Sequence, residues 1–177
     1  MQYTSAYSSP LGPITLASDG KQLTGLWFDG QKYFADTLSS EHREKELSIF
    51  QLTTQWLDLY FQGKTPSFTP PLSFNGSPFR LIVWNILLEI PYGTTMTYGE
   101  IAAIIAKKQG VQSMSAQAVG GAVAHNPISV IVPCHRVVGT NGSLTGYAGG
   151  LEKKIALLEL EKVDMRKFYI PPKGTAL

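Results

Sequence analysis

Alternating apolar and polar positions open this chain and give way, from about residue 41, to apolar spacings of three and four. Residues 2–7, 13–18 and 23–28 alternate as strands do. "SSPLGP" and Asp19-Gly20 supply the turns between them, which predicts a small antiparallel meander. Leu47, Phe50, Leu57 and Phe61 lie near helical spacing and Gly63 is a stop, which predicts a helix over 41–62. "KTPSFTPPLSFNG", residues 64–76, is rich in proline and turn formers and reads as a linker. The pattern thus divides the chain into an N-terminal α/β domain, 1–75, and a mainly helical domain, 76–177.

The second part carries explicit helix signals. Ser77 and Pro78 suit an N-cap and a first helical position. Phe79, Ile82, Val83, Ile86, Leu87 and Ile90 then form one apolar stripe, ended by "PYG". Thr97 and Glu100 make a capping box that opens a helix through about Lys107. After the polar loop "KKQGVQSM", Ser115 caps a short helix, 116–125, ended by Asn126-Pro127. Two short helices joined by a loop are compatible with a helix-turn-helix, and equally with an ordinary helical hairpin. "ISVIV", 128–132, reads as a buried strand, Asn141-Gly142 as a tight turn, and Leu151 to Lys162 as the last helix.

Composition narrows the class. Hydrophobic residues at 44% and charged residues at 16% support a packed core and exclude a disordered chain. No apolar run reaches membrane-spanning length, and the N-terminus has neither a basic start nor an apolar stretch, so the expected compartment is the cytoplasm. The single cysteine fits a reducing environment and leaves no multi-cysteine zinc site. Net charge is +2, unevenly spread: residues 1–75 hold five Lys/Arg against seven Asp/Glu, residues 76–177 ten against six. The basic excess lies in the half that carries the cysteine, consistent with an anionic partner or with ordinary surface variation.

Candidate chemistry centres on "IVPCHRVVG", 131–139. Cys134 is either a small buried hydrophobe or a nucleophile whose thiolate is favoured by His135 or Arg136. Neighbouring residues on a strand face opposite ways, so Cys134 and His135 meet only if Pro133 breaks the strand into a turn, or through a water. Glu161 lies beside the apolar stripe of the last helix, either at its solvent edge or buried behind a histidine as the third member of a relay. In "SAQAVGGAVAHN", Gly120 and Gly121 sit mid-helix, where each costs about 1 kcal/mol relative to alanine. Gln117, Gly120, Gly121 and Ala124 share one nearly smooth face. Val119, Ala122, Val123 and Asn126 share an inward one. A smooth face permits close approach to another helix or to a nucleic-acid backbone. Asn126 either braces the cysteine turn or caps the helix. Tyr98 is a core phenol or a proton donor to a leaving group. Arg80 and Arg136 are surface arginines or phosphate contacts.

"PYGTTMTYGEIA" and "AVGGAVAHNPISVIVPCHRVVGTNGSLTGYAGGLEKKIALLELE" together resemble the O6-alkylguanine-DNA alkyltransferases, a family that removes alkyl groups from guanine in DNA in a single turnover. The resemblance covers about 78–162, with several separated motifs in order; before that it is one of pattern only. It implies an N-terminal α/β domain around an antiparallel sheet and a helical C-terminal domain with a winged-helix-like helix-turn-helix. It implies Cys134 as alkyl acceptor, His135 as base through a bridging water, and Glu161 behind it. Asn126 would fix the turn, and Tyr98 would assist departure of guanine and rotation of the nucleotide. Tyr147 and the backbone N–H of Ala148 would line the pocket, and the carbonyls of Cys134 and Val137 would read the exocyclic amine of guanine. Gln117, Ala118, Gly120, Gly121 and Arg136 would contact double-stranded alkylated DNA. The chemistry calls for no cofactor and no metal, and a zinc site found in some members lacks its cysteines here; the expected state is a monomer without an obligate protein partner. Gln117 departs from the family's usual arginine at the gap left by the flipped nucleotide, and the loop between the two helices is longer. A lesion-binding module, a transcription regulator and a cysteine hydrolase are the alternative readings. The presence of Cys134 disfavours the first, which Gln117 keeps open; the lack of further cysteines disfavours the second; an ester or peptide turnover assay separates the third.

Overall fold

The computed structural model describes residues 1–172 and divides the chain into two compact units. Residues 1–75 form the first, joined by Pro127–Ile131. Gly76–Asn126 and the residues from Val132 onward form the second. The first unit thus takes in the five residues after Asn126 along with the chain before Gly76.

In the first unit β1 (Gln2–Ser9), β2 (Gly12–Ser18) and β3 (Leu23–Phe28) form the antiparallel meander, in sheet order β3-β2-β1-β4. The fourth strand, β4 (His42–Glu44), pairs in parallel with β1 through Gln2↔His42 and Thr4↔Glu44. It occupies the start of the predicted helix 41–62. "EHREKE" has no apolar position to bury, so it pairs at a sheet edge, and α1 begins only at Ser48 and runs to Phe61. That helix buries Ile49, Phe50, Trp56, Leu57 and Tyr60. At Asp19-Gly20 the carboxylate accepts the Lys21 and Gln22 N–H groups (2.9 and 2.8 Å), and Gly20 takes φ +108°. "ISVIV" is buried as expected but is not a strand. Only Ile128 bridges to Leu26, and Val130 stands at φ +69°, where an extended β-branched residue would not be found.

The second unit is helical. α2 (Pro78–Leu88) starts on the Ser77 hydroxyl, which accepts the Arg80 N–H. After β5 (Met96–Thr97), α3 (Tyr98–Gln109) begins at the full capping box of Thr97 and Glu100 and stops at Gly110 in the left-handed conformation. α4 (Ala116–Ala124) is capped by Ser115. β6 (Val137–Val138) pairs in parallel with β5, and α5 (Leu151–Leu160) follows. Val83, Trp84, Leu87, Ile101, Ile105, Val119 and Val123 are buried in this unit. Trp84, unmarked in the predicted stripe, anchors α2 on α4 by donating its indole N–H to the Ala122 carbonyl (2.9 Å). Phe79 and Ile82, which the stripe included, are only half-buried. Among the described residues no helix is long and apolar enough to cross a membrane.

Candidate active site around Cys134

Pro133 breaks the chain into a single 3-10 turn, Cys134–Arg136, so the thiol, the imidazole and the guanidinium leave one turn of backbone. The turn is pinned at its start: the Asn126 side chain donates to the Val132 carbonyl (2.8 Å), and the Cys134 N–H donates to the same oxygen (2.8 Å). Its end is pinned by the Val137 N–H, which donates to the Cys134 carbonyl.

Cys134 is 4% exposed, yet its surroundings are polar. Burial pushes its thiol above the usual value. A hydrogen bond from Asn126, the charge of Lys154 and the backbone N–H groups of Cys134 and His135 pull the other way. The thiol is therefore the resting form at neutral pH, and a base is needed to use it. His135, fully buried, is held below its ordinary pKa by that burial and so is neutral and able to accept a proton. Its Nε2 faces Glu161 Oε1 at 3.2 Å. Glu161, placed by the last turn of α5, is also buried. Against that burial, which acts upward, the bonds from His135 and Arg136 hold its carboxyl down at about 2.

Arg136 departs from its expected place at DNA phosphates. It lies buried, with Nε bridging both Glu161 oxygens (3.0 and 3.1 Å), Nη2 on Oε1, and Nη1 donating to the Ile90 carbonyl (2.6 Å). The Tyr92 ring covers the guanidinium at 5.7 Å. A buried carboxylate needs a permanent counter-charge, and the neutral His135 does not supply one.

Lys154 is the residue the sequence reading passed over. It is fully buried, and its Nζ donates to the carbonyls of Val137 (2.5 Å), Thr145 (3.2 Å) and Gly146 (3.1 Å). Burial lowers its pKa to about 8, while the neighbouring Cys134 acts to raise it. The signal was present: Lys154 lies on the same helical face as Leu157, Leu158 and Glu161. Its bond also occupies the Val137 carbonyl, expected to face guanine, so only the second lone pair of that oxygen is left for a ligand.

Tyr98 is buried at the first turn of α3 and donates its hydroxyl to the Thr145 carbonyl (3.2 Å). Burial, then the nearness of Cys134, raises its pKa, so it remains a neutral donor. Tyr147 and Ala148 are half-buried in the loop that precedes α5. Gln117, Ala118 and Gly121 occupy the exposed face of α4. Gly120, expected beside them, is buried with Val119, Ala122 and Val123. An added Cβ at Gly121 meets nothing within 4 Å, so no contact among the described residues requires glycine there.

A buried thiol, a neutral imidazole, an ionised carboxylate and a hydrogen-bonding amide are the groups that thiol nucleophile chemistry uses. A family model described as "6-O-methylguanine DNA methyltransferase, DNA binding domain" matches residues 78–163, and "6-O-methylguanine DNA methyltransferase, ribonuclease-like domain" matches 2–74. The methylated-DNA–protein-cysteine methyltransferase of Mycobacterium bovis is 46% identical over 154 residues, 87% of this chain and 88% of that one. That of Haemophilus influenzae is 41% identical over 162 residues, 91% and 87% of the two chains. The crystal structure of Mycobacterium tuberculosis OGT in complex with DNA matches with a TM-score of 0.78 at 41% identity over 94% of both chains. The chain belongs to the 6-O-methylguanine DNA methyltransferase family.

Proposed function

We propose that the protein repairs DNA by taking the alkyl group of O6-alkylguanine, and in the same manner O4-alkylthymine, onto Cys134 in one irreversible turnover. The observation that carries this reading is the placing of the Cys134 thiol and the His135 imidazole on one turn, with Glu161 against His135 Nε2. His135 Nδ1 takes the thiol proton through a bridging water, since Nε2 faces Glu161, and the ionised Glu161 stabilises the imidazolium. Lys154 and the Asn126 amide stabilise the thiolate. The sulfur attacks the alkyl carbon, an S–C bond forms as the C–O6 bond breaks, and the electron pair leaves with guanine, to which Tyr98 supplies a proton. The thioether product is stable to hydrolysis, so the site is spent.

The sulfur's low exposure means that a base inside a duplex does not reach it, so the nucleotide is rotated out at a cost of a few kcal/mol. We place α3 and α4 as a helix-turn-helix with the exposed Gln117, Ala118 and Gly121 face in the minor groove, where small residues allow close approach. Tyr147 and the Ala148 N–H line the pocket for the flipped base. The protein acts as a cytoplasmic monomer without an obligate partner protein.

The test is direct. After incubation with a duplex containing one O6-methylguanine, the Cys134 peptide should gain the mass of one methylene. Cys134→Ala should still bind the duplex and take up nothing. An unaltered peptide mass from folded, reduced protein refutes the reading, and repeated turnover of a thioester would favour a hydrolase.

A further inference from the structure

The family model's match ends at residue 163, but the described chain continues to 172 and returns to the active-site loop. A 3-10 turn at Met165–Lys167 leads into an extended segment. There Tyr169 donates its N–H to the Gly142 carbonyl (3.0 Å), and the Leu144 N–H donates to the Tyr169 carbonyl (2.8 Å). Val163, Met165 and Phe168 pack against the buried cluster of Val138, Leu144 and Leu158. At Gly142, φ is +84° and an added Cβ would overlap the Lys167 carbonyl, so the approach depends on glycine.

The next residue after Leu144 is Thr145. Its carbonyl accepts both the Tyr98 hydroxyl (3.2 Å) and the Lys154 ammonium (3.2 Å), and that of Gly146 accepts Lys154 (3.1 Å). Both donors lie within electrostatic reach of Cys134. A two-bond clamp at 142–144 therefore fixes, one peptide further on, the acceptor that aims them.

We infer that Met165–Tyr169 is a strap whose backbone, not its Tyr169 side chain, has a positioning role in alkyl transfer: by holding Gly142–Leu144 it sets where Thr145 receives Tyr98 and Lys154. The inference rests on the transfer chemistry proposed above. The strap contributes no group to the reaction. Its effect falls on the rate of the chemical step and not on duplex binding, because none of its residues belongs to the α4 face.

Tyr169→Pro removes the N–H that holds Gly142 and keeps the Phe168 packing. Phe168 already has φ −119° and ψ 154°, which a following proline accepts. Tyr169→Ala is the control, since the ring is 51% exposed and both backbone bonds survive. With a saturating O6-methylguanine duplex, Tyr169→Pro should methylate Cys134 on the order of tenfold more slowly. The duplex concentration giving half-maximal rate should change by less than about twofold. Tyr169→Ala should match the unaltered protein. Gly142→Ala, which strikes the same contact from the loop side, should reproduce the slow step, and it decides the matter if the proline variant does not fold. Transfer by the folded variants at the unaltered rate, or a loss confined to duplex affinity, overturns the strap. If the unaltered protein itself leaves Cys134 unmethylated, it is the transfer reading that falls.

Discussion

Replacing Glu161 by glutamine keeps the shape of the side chain and removes its charge. Glu161 accepts from His135 Nε2 and, through both oxygens, from Arg136. Glutamine offers one acceptor oxygen and turns an NH₂ toward donors. The guanidinium then stays buried with the Ile90 carbonyl and no counter-charge. Breaking a buried ion pair from one side costs about 3–5 kcal/mol. A second route gives a similar figure. The Glu161 carboxyl stands at about 2 against an ordinary 4.5, and at 1.36 kcal/mol per unit that is about 3 kcal/mol. For a chain of this length the melting temperature should fall by about 10 °C. Urea unfolding followed by Trp84 fluorescence, in a Trp27→Phe/Trp56→Phe background, measures the loss in the second unit. The sign with pH is fixed. The folded pKa lies below the unfolded one, so the stabilisation is full above pH 4.5 and disappears as pH falls toward 2. The gap between parent and variant should therefore close over that window. A loss below about 1 kcal/mol at pH 7, the size of a surface pair, refutes the argument, as does a gap that does not change below pH 4.5.

Two further outcomes follow from the same geometry. Lys154→Met keeps the length of the side chain and removes the charge that favours the Cys134 thiolate. The variant should transfer on the order of tenfold more slowly in single-turnover assays. Relative to the variant, the parent should gain stability as pH rises from 8 to 10.5, because the folded pKa of Lys154 is the lower one; the raised Cys134 and Tyr98 act the opposite way at the top of that window in both proteins. Gln117→Arg adds one cation to the exposed first turn of α4. It should tighten duplex binding and steepen the salt dependence by about one unit of slope, while equal affinity and equal repair rate in both forms would contradict placing that face in the groove.

What was legible in the sequence follows the range of the forces involved. The starts of α2, α3 and α4 were readable at Ser77, Thr97 and Ser115 because each cap is a bond between residues three apart. The short strand at His42–Glu44 was not, because its hydrogen-bonding partner is β1, some forty residues earlier, and nothing local in "EHREKE" announces it. "ISVIV" has the composition of a strand, yet Val130 lies in the left-handed region, and composition carries no trace of that.

The site divides in the same way. Cys134 and His135 share one turn, and Glu161 stood out as a carboxylate beside an apolar stripe. Arg136 and Lys154 were misread or missed because solvent is the ordinary place for a cation, and only the folded chain supplies the acceptors that make burial tolerable. Those two buried cations do different work. Arg136 keeps Glu161 ionised while His135 stays neutral, so the imidazole is available as a base. Lys154 offsets, at Cys134, the burial that would otherwise keep the sulfur protonated. For the proposed transfer, a site that lacked either would hold the same thiol, imidazole and carboxylate and be poorly poised. The motif "PCHRV" therefore marks the nucleophile and base of the proposed reaction, whereas their protonation states depend on an arginine and a lysine whose partners lie elsewhere in the chain.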